Sequence, residues 1–190
     1  MRCFVAIELP ETVHERLAQL QDQLRPQMHG IGWTRPEQIH LTIKFLGEVP
    51  DTHVPKAIEA ATAVIDQYGP FDLTVAGAGC FPPNGPARVL WVGIPSPPPQ
   101  LIACQQALEQ AMADLGIPPE NRPYHPHLTL GRVKDFHAGR EAQAAIEKVA
   151  DFDAGGFTAT ELLMFQSVLQ RTGPIHTVIA RMPLGEPAPT

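Results

Sequence analysis

Residues 39–47 read IHLTIKFLG, and residues 124–133 read YHPHLTLGRV. Each contains His-Leu-Thr followed by an aliphatic residue, at 40–43 and again at 127–130. Along a β-strand, residues two apart point to the same face, about 6.6 Å apart at a rise of ~3.3 Å per residue. His40 and Thr42 then share one face, with Leu41 and Ile43 turned to the other. His127 and Thr129 stand in the same relation to Leu128 and Leu130. Each strand offers an imidazole and a hydroxyl on a backbone anchored by aliphatic packing. Eight His and 12 Thr among 190 residues give about 0.5 accidental His-x-Thr, and aliphatic flanks on both sides lower that to about 0.03. A single such strand reads as structural; the pair reads as two half-sites.

Two imidazoles and two hydroxyls converging in one cleft suit phosphoryl chemistry. Displacement at phosphorus wants a base on the attacking oxygen and an acid on the leaving oxygen, roughly in line. An imidazole pKa of about 6.5 makes both forms accessible near neutrality. The Thr42 and Thr129 hydroxyls can donate to non-bridging phosphate oxygens. Arg132 closes the second strand, and an arginine at an apolar strand end suits an anion contact. His125 and His127 could suggest zinc, but no Asp, Glu or Cys stands near them at ligand spacing, so no metal site and no cofactor are expected. His125 reads as a strand-entry residue. His14, His29, His53, His137 and His176 read as surface or structural, and Trp33 and Tyr124 as cleft-edge stacking candidates or core.

The rest of the chain frames these strands. Residues 2–9 read as a buried strand, and Val13, Leu17, Leu20 and Leu24 mark one face of a helix opening at Pro10. A helix over 51–68, capped by Asp51 or Thr52, stops at Gly69-Pro70. Strands follow at 71–79 and 87–94, then a helix over 100–116, a loop over 117–126 and a short helix over 139–149. The last strands read at 157–169 and 175–184. Strands alternating with helices predict an α/β or α+β fold, and a strand, a helix and a His-Leu-Thr strand in each half suggest two similar lobes related by a pseudo-twofold.

A net charge of −6 argues against broad binding of long polyanions, so any phosphate must be held locally. Three scattered cysteines without CxxC spacing exclude a disulfide framework and fit a reducing cytoplasm. The opening MRCFVAIELPETVHERL is too short and too acidic for a signal peptide, and no later stretch approaches a membrane span.

RCFVAIELP at 2–10, GWTRPEQIHLTIKFLGEV at 32–49, ARVLWVGI at 87–94, ENRPYHPHLTLGRV at 120–133 and IARMPL at 179–184 resemble the two-histidine (2H) phosphoesterases. The resemblance is to their bacterial and archaeal RNA 2',3'-cyclic phosphodiesterase branch, also called 2'-5' RNA ligase or LigT-like. It covers nearly the whole chain and rests on two H-x-[ST]-aliphatic motifs. It implies an α+β fold, one bilobal domain over 1–190 with a motif per lobe, at 40–42 and 127–129, antiparallel-rich sheets with outer helices and a central cleft. It implies metal-independent hydrolysis of a 2',3'-cyclic phosphate to a 2'-phosphomonoester, with weak 2'-5' ligation as the reverse reaction. His40 and His127 would be the catalytic pair, with His40 as base and His127 as acid, an order that sequence leaves open. Thr42, Thr129 and Arg132 would hold the phosphate, and Phe45 a base or ribose; Lys44 and His125 would take no catalytic role. The expected partners are RNA ends or nucleotides bearing the cyclic phosphate, the expected protein a cytoplasmic monomer with no protein or membrane partner. The alternative is a non-catalytic RNA-end or nucleotide-binding module with the same cleft.

Overall fold

Nine strands and four helices succeed one another in a computed structural model that describes residues 1–170 and 173–186, and of Phe136 the backbone only. Positions 171–172 and 187–190 of the expected 1–190 span lie outside the described residues. The strands are β1 (Arg2–Ile7), β2 (Ile31–Trp33), β3 (Leu41–Glu48), β4 (Phe71–Phe81), β5 (Val89–Gly93), β6 (His127–Val133), β7 (Asp153–Ala159), β8 (Glu161–Gln170) and β9 (Gly173–Pro183). The helices are α1 (Glu11–Leu24), α2 (Val54–Ile65), α3 (Pro99–Asp114) and α4 (Phe136–Glu147). Two sheets result, a four-stranded one in the order β3-β1-β8-β9 and a five-stranded one in the order β2-β6-β5-β4-β7. Every pairing is antiparallel. The first motif leads into β3 of the first sheet, and the second opens β6 of the second sheet.

Alternation along β1 shows how the first sheet divides its faces. Cys3, Val5 and Ile7 join the main core, whereas Phe4 and Ala6 form a separate apolar cluster with Leu163 and Phe165 of β8. The main core runs on under the second sheet through Leu73, Leu90, Val92, Leu128 and Leu130. Helices α2 and α3 pack together, α2 against β9 and α3 against β3. Helix α1 touches β7, and α4 lies on β4 and β6. Among the described residues, no helix is long and apolar enough to cross a membrane.

The chain departs from the sequence-based expectation in instructive places. Residues 157–169, expected as one strand, split at Thr160 into β7 and β8, which belong to different sheets. Continuous β-rich composition across the split hides the change of partner. The sheets therefore do not coincide with chain halves: the first takes β1 and β3 from the start and β8 and β9 from the end. The three-residue β2 is too short to show a period. Helix α2 begins later than expected, with His53 at the N-cap position and no side-chain cap bond, while the Asp51 carboxylate pairs with the N-terminal ammonium at 3.3 Å. Helix α4 begins earlier than expected, where Asp135 accepts a hydrogen bond from the His137 N–H at 2.9 Å.

Candidate active site

His40 stands immediately before β3, and Leu41 and Ile43 are buried as the alternation requires while His40 and Thr42 are half-buried. Phe45 lies five positions beyond His40, an odd offset that a regular strand would turn to the opposite face. The register with β1 resolves this. Ala6 pairs with Thr42, Val5 with Lys44 and Phe4 with Phe45, which leaves Ile43 unmatched as a bulge. Thr42 and Phe45 therefore both lie opposite cluster-face residues of β1, and Lys44 turns inward. Phe45 is 54% exposed, its ring 5.8 Å from Phe4.

Strand β6 repeats the device. Gly93 pairs with His127, Trp91 with Thr129, Leu90 with Gly131 and Val89 with Arg132, so Leu130 is the unmatched residue. Val89, Trp91 and Gly93 share one face, hence His127, Thr129 and Arg132 do too, although Arg132 also follows its histidine by five. The Leu130 carbonyl at this bulge accepts hydrogen bonds from the Thr34 N–H at 2.9 Å and from Gln21 Nε2 at 2.9 Å. Gln21, fully buried on α1, also donates to the Thr34 carbonyl at 2.8 Å.

Each histidine is oriented by a backbone group two residues earlier. His127 Nδ1 lies 2.7 Å from the His125 carbonyl, so Nδ1 carries the proton and Nε2 is left with a free lone pair. Burial holds His127 below its ordinary range; the bond to His125 opposes this, and the Arg132 charge adds to it. Burial pushes His40 down to about 4, His176 adds to the effect, and a hydrogen bond with the Gln38 backbone opposes it. His40 is thus a neutral imidazole at neutral pH. Its ring stacks on Phe4 at 4.7 Å and lies 5.5 Å from Phe165. The His127 ring stands edge-on to Phe81 at 5.1 Å, and Phe81 in turn is 5.2 Å from Trp91.

Strands β3 and β6 touch directly, and Tyr124, just upstream of the second motif, donates its hydroxyl to the Thr42 carbonyl at 3.0 Å. Tyr124 and Trp33 both pack against the main core, and the Arg25 guanidinium sits 5.2 Å over the Trp33 ring. Lys44, 3% exposed, reaches Glu109 of α3 at 2.7 Å and the Pro118 carbonyl at 3.1 Å. It thereby ties β3 to the loop that leads to His127. His176, expected as surface or structural, instead stands 5.3 Å from His40 and edge-on to it. No spacing in sequence could have revealed this, since β9 meets β3 only through β1 and β8. His125 is exposed, 6.4 Å from Phe81. A separate crevice of about 350 Å³ beside α1 is lined by Glu8, Glu11, Glu15 and Glu37, the wrong charge for a phosphate.

The family pattern described as LigT like Phosphoesterase matches the chain twice, over residues 7–91 and 92–176. An RNA 2',3'-cyclic phosphodiesterase of Methanocaldococcus jannaschii is 34% identical over 179 residues, covering 94% of this chain and 98% of that protein. Its counterpart in Thermotoga maritima is 30% identical over 179 residues, covering 94% and 93%. Among solved structures, TT0787 of Thermus thermophilus superposes with a TM-score of 0.84 at 27% identity, covering 98% and 99% of the two chains. E. coli LigT complexed with 3'-AMP superposes with a TM-score of 0.79 at 28% identity, covering 96% and 97%. The two bulged His-x-Thr strands, one in each sheet, thus sit in a match that spans nearly the whole chain: it belongs to the LigT-like family of two-histidine phosphoesterases.

Proposed function

We propose that the protein is an RNA 2',3'-cyclic phosphodiesterase that opens the cyclic phosphate to a 2'-phosphomonoester without a metal, acting as one bilobal domain with a motif in each lobe. The observation that carries this reading is the matched construction of β3 and β6: a histidine, a threonine, a bulge, then a residue returned to the same face. Relatives across most of the chain bear the name of this activity.

In the proposed reaction a water oxygen attacks phosphorus and the bond from phosphorus to O3' breaks. His40 takes the water proton, a role that suits an imidazole held neutral by burial. His127 gives a proton to O3', leaving a 3'-hydroxyl and a 2'-phosphomonoester. Its Nδ1 is committed to the His125 carbonyl, so Nε2 is the nitrogen that carries and delivers this proton. Thr42 and Thr129 donate to the non-bridging oxygens, Arg132 offsets their charge and Phe45 contacts base or ribose. Attack by a 5'-hydroxyl in place of water gives 2'-5' ligation, a minor course because water at ~55 M competes for the same phosphorus. A module that only bound the cyclic phosphate would not need two desolvated imidazoles on facing strands. The substrate class, an RNA end or nucleotide, and a cytoplasmic, monomeric setting belong to the same reading.

The test is turnover of a 2',3'-cyclic nucleotide by wild type, His40→Ala and His127→Ala. Each variant is expected to lose about 10²–10⁴ in kcat, the usual worth of one general acid or base. Binding without turnover in wild type would favour the binding module.

A further inference from the structure

The cluster face of the first sheet also carries polar side chains beside its aromatic rings. The register that pairs Cys3 with Gln166 sets Arg2 alongside Ser167, and Ser167 pairs in turn with His176; on its other side Arg2 pairs with Glu48 of β3, whose carboxylate lies 3.6 Å from the N-terminal ammonium. Arg2, Ser167 and His176 thus form a row across β1, β8 and β9, spanning about 10 Å at ~4.8 Å per strand. The next row on that face holds Phe45, Phe4 and Phe165, and His40 stacks on Phe4. Arg35 is exposed in the turn that crosses from β2 into β3, whose strand borders β1; burial first, then the charges of Arg2 and Arg35, hold the His176 imidazole below its ordinary range. Among the described residues, the carboxylate that pairs with the Arg35 guanidinium is Glu37 at 4.0 Å, too far for a strong hydrogen bond.

His176 Nδ1 is buried and makes no hydrogen bond among the described residues. A buried N–H without an acceptor costs more than a bare lone pair, so the ring keeps its proton on Nε2, as a donor. Two guanidiniums and an imidazole N–H therefore adjoin the aromatic floor beneath His40. None of the three is needed at the reacting phosphorus, which the proposed activity sets between the two motifs. On a chain of net charge −6, such a cluster attracts an anion locally rather than a polyanion broadly.

We propose that Arg2, Arg35 and His176 form a second anion subsite that receives the phosphodiester joining the terminal nucleotide to the rest of the strand. The subsite rests on the proposed activity and deepens it: the substrate is the end of an oligonucleotide, and a cyclic mononucleotide leaves half of the binding surface empty. The row runs beside the aromatic floor and away from β3, so a nucleoside held against the exposed Phe45 ring would have its 5' side toward Arg2.

Equilibrium binding of a dinucleotide ending in a 2'-phosphate tests this without relying on turnover. It is measured with a natural internal phosphodiester and with an uncharged methylphosphonate in its place. Charge-assisted contacts partly open to solvent predict that wild type binds the natural linkage about five- to tenfold more tightly. The slope of log Kd against log salt is expected to be larger for the natural linkage by about 0.7 for each cation that pairs with its phosphate. The Arg2→Gln/Arg35→Gln double variant is expected to erase most of this discrimination. Equal affinity for both linkages in wild type, or full discrimination retained in the double variant, would overturn the subsite. Failure to turn over a cyclic mononucleotide would count against the proposed activity, while the binding ratio would still read the subsite.

Discussion

His40 and His127 differ in how far burial displaces them, and the difference can order their roles. Burial sets His40 at about 4 and holds His127 below 6.5 by a smaller amount. With His40 as base and His127 as acid, kcat/KM rises as His40 loses its proton and falls as His127 loses its own. The profile is then a bell with an acid limb near 4 and an alkaline limb below 6.5. Exchanging the roles gives the same bell, so the variants decide. In His127→Ala the residual rate is expected to climb through about 4 and stay level at higher pH. A residual rate that falls above that point would make His40 the acid. Both histidines and both threonines are legible in sequence because the motif repeats. His176 is not: its place beside His40 depends on two intervening strands.

At the scale of the element, the bulges at Ile43 and Leu130 let the fifth residue after each histidine return to the histidine's face. A period of two applied to sequence puts Arg132 and Phe45 on the wrong side, so no pattern reading alone could place them. Gln21 supports the second bulge through the Leu130 carbonyl. Gln21→Leu is expected to lower stability by about 1–3 kcal/mol, read as a shift in Tm, and to lower kcat more than it raises KM. An unchanged kcat would separate the bulge from catalysis. The Lys44–Glu109 pair joins β3 to α3 asymmetrically, since the Lys44 side chain is 2% exposed and that of Glu109 18%. Glu109 also accepts from Gln105 Nε2 and from the Glu120 N–H, both at 3.1 Å. Glu109→Gln leaves a buried ammonium without its counter-charge, whereas Lys44→Met leaves a carboxylate that still has donors. The first is expected to cost about 3–5 kcal/mol and the second clearly less, as chemical denaturation would show. Most helices were legible from their apolar spacing and their Pro or Gly boundaries. The split of 157–169 into two strands was not, because strand composition does not name its partner.

Across the whole molecule, the two sheets share one hydrophobic core on one side and present the two motifs on strands that touch. Holding imidazoles neutral in that setting has a stability cost in acid. His40, His127 and His176 are all shifted down from 6.5 by burial, so below that pH the unfolded chain binds more protons than the folded one. Stability therefore rises with pH between about 4 and 6.5. Calorimetry is expected to show Tm falling as pH drops through that window, and His40→Phe to flatten the fall. The central claim is that two histidines on facing strands open a 2',3'-cyclic phosphate with loss of the 3' oxygen. It is tested most directly by phosphorus NMR of an oligonucleotide ending in a 2',3'-cyclic phosphate, incubated with the protein in EDTA. The account predicts complete conversion to the 2'-phosphomonoester; a 3'-phosphomonoester, or no conversion until a divalent metal is restored, would contradict it.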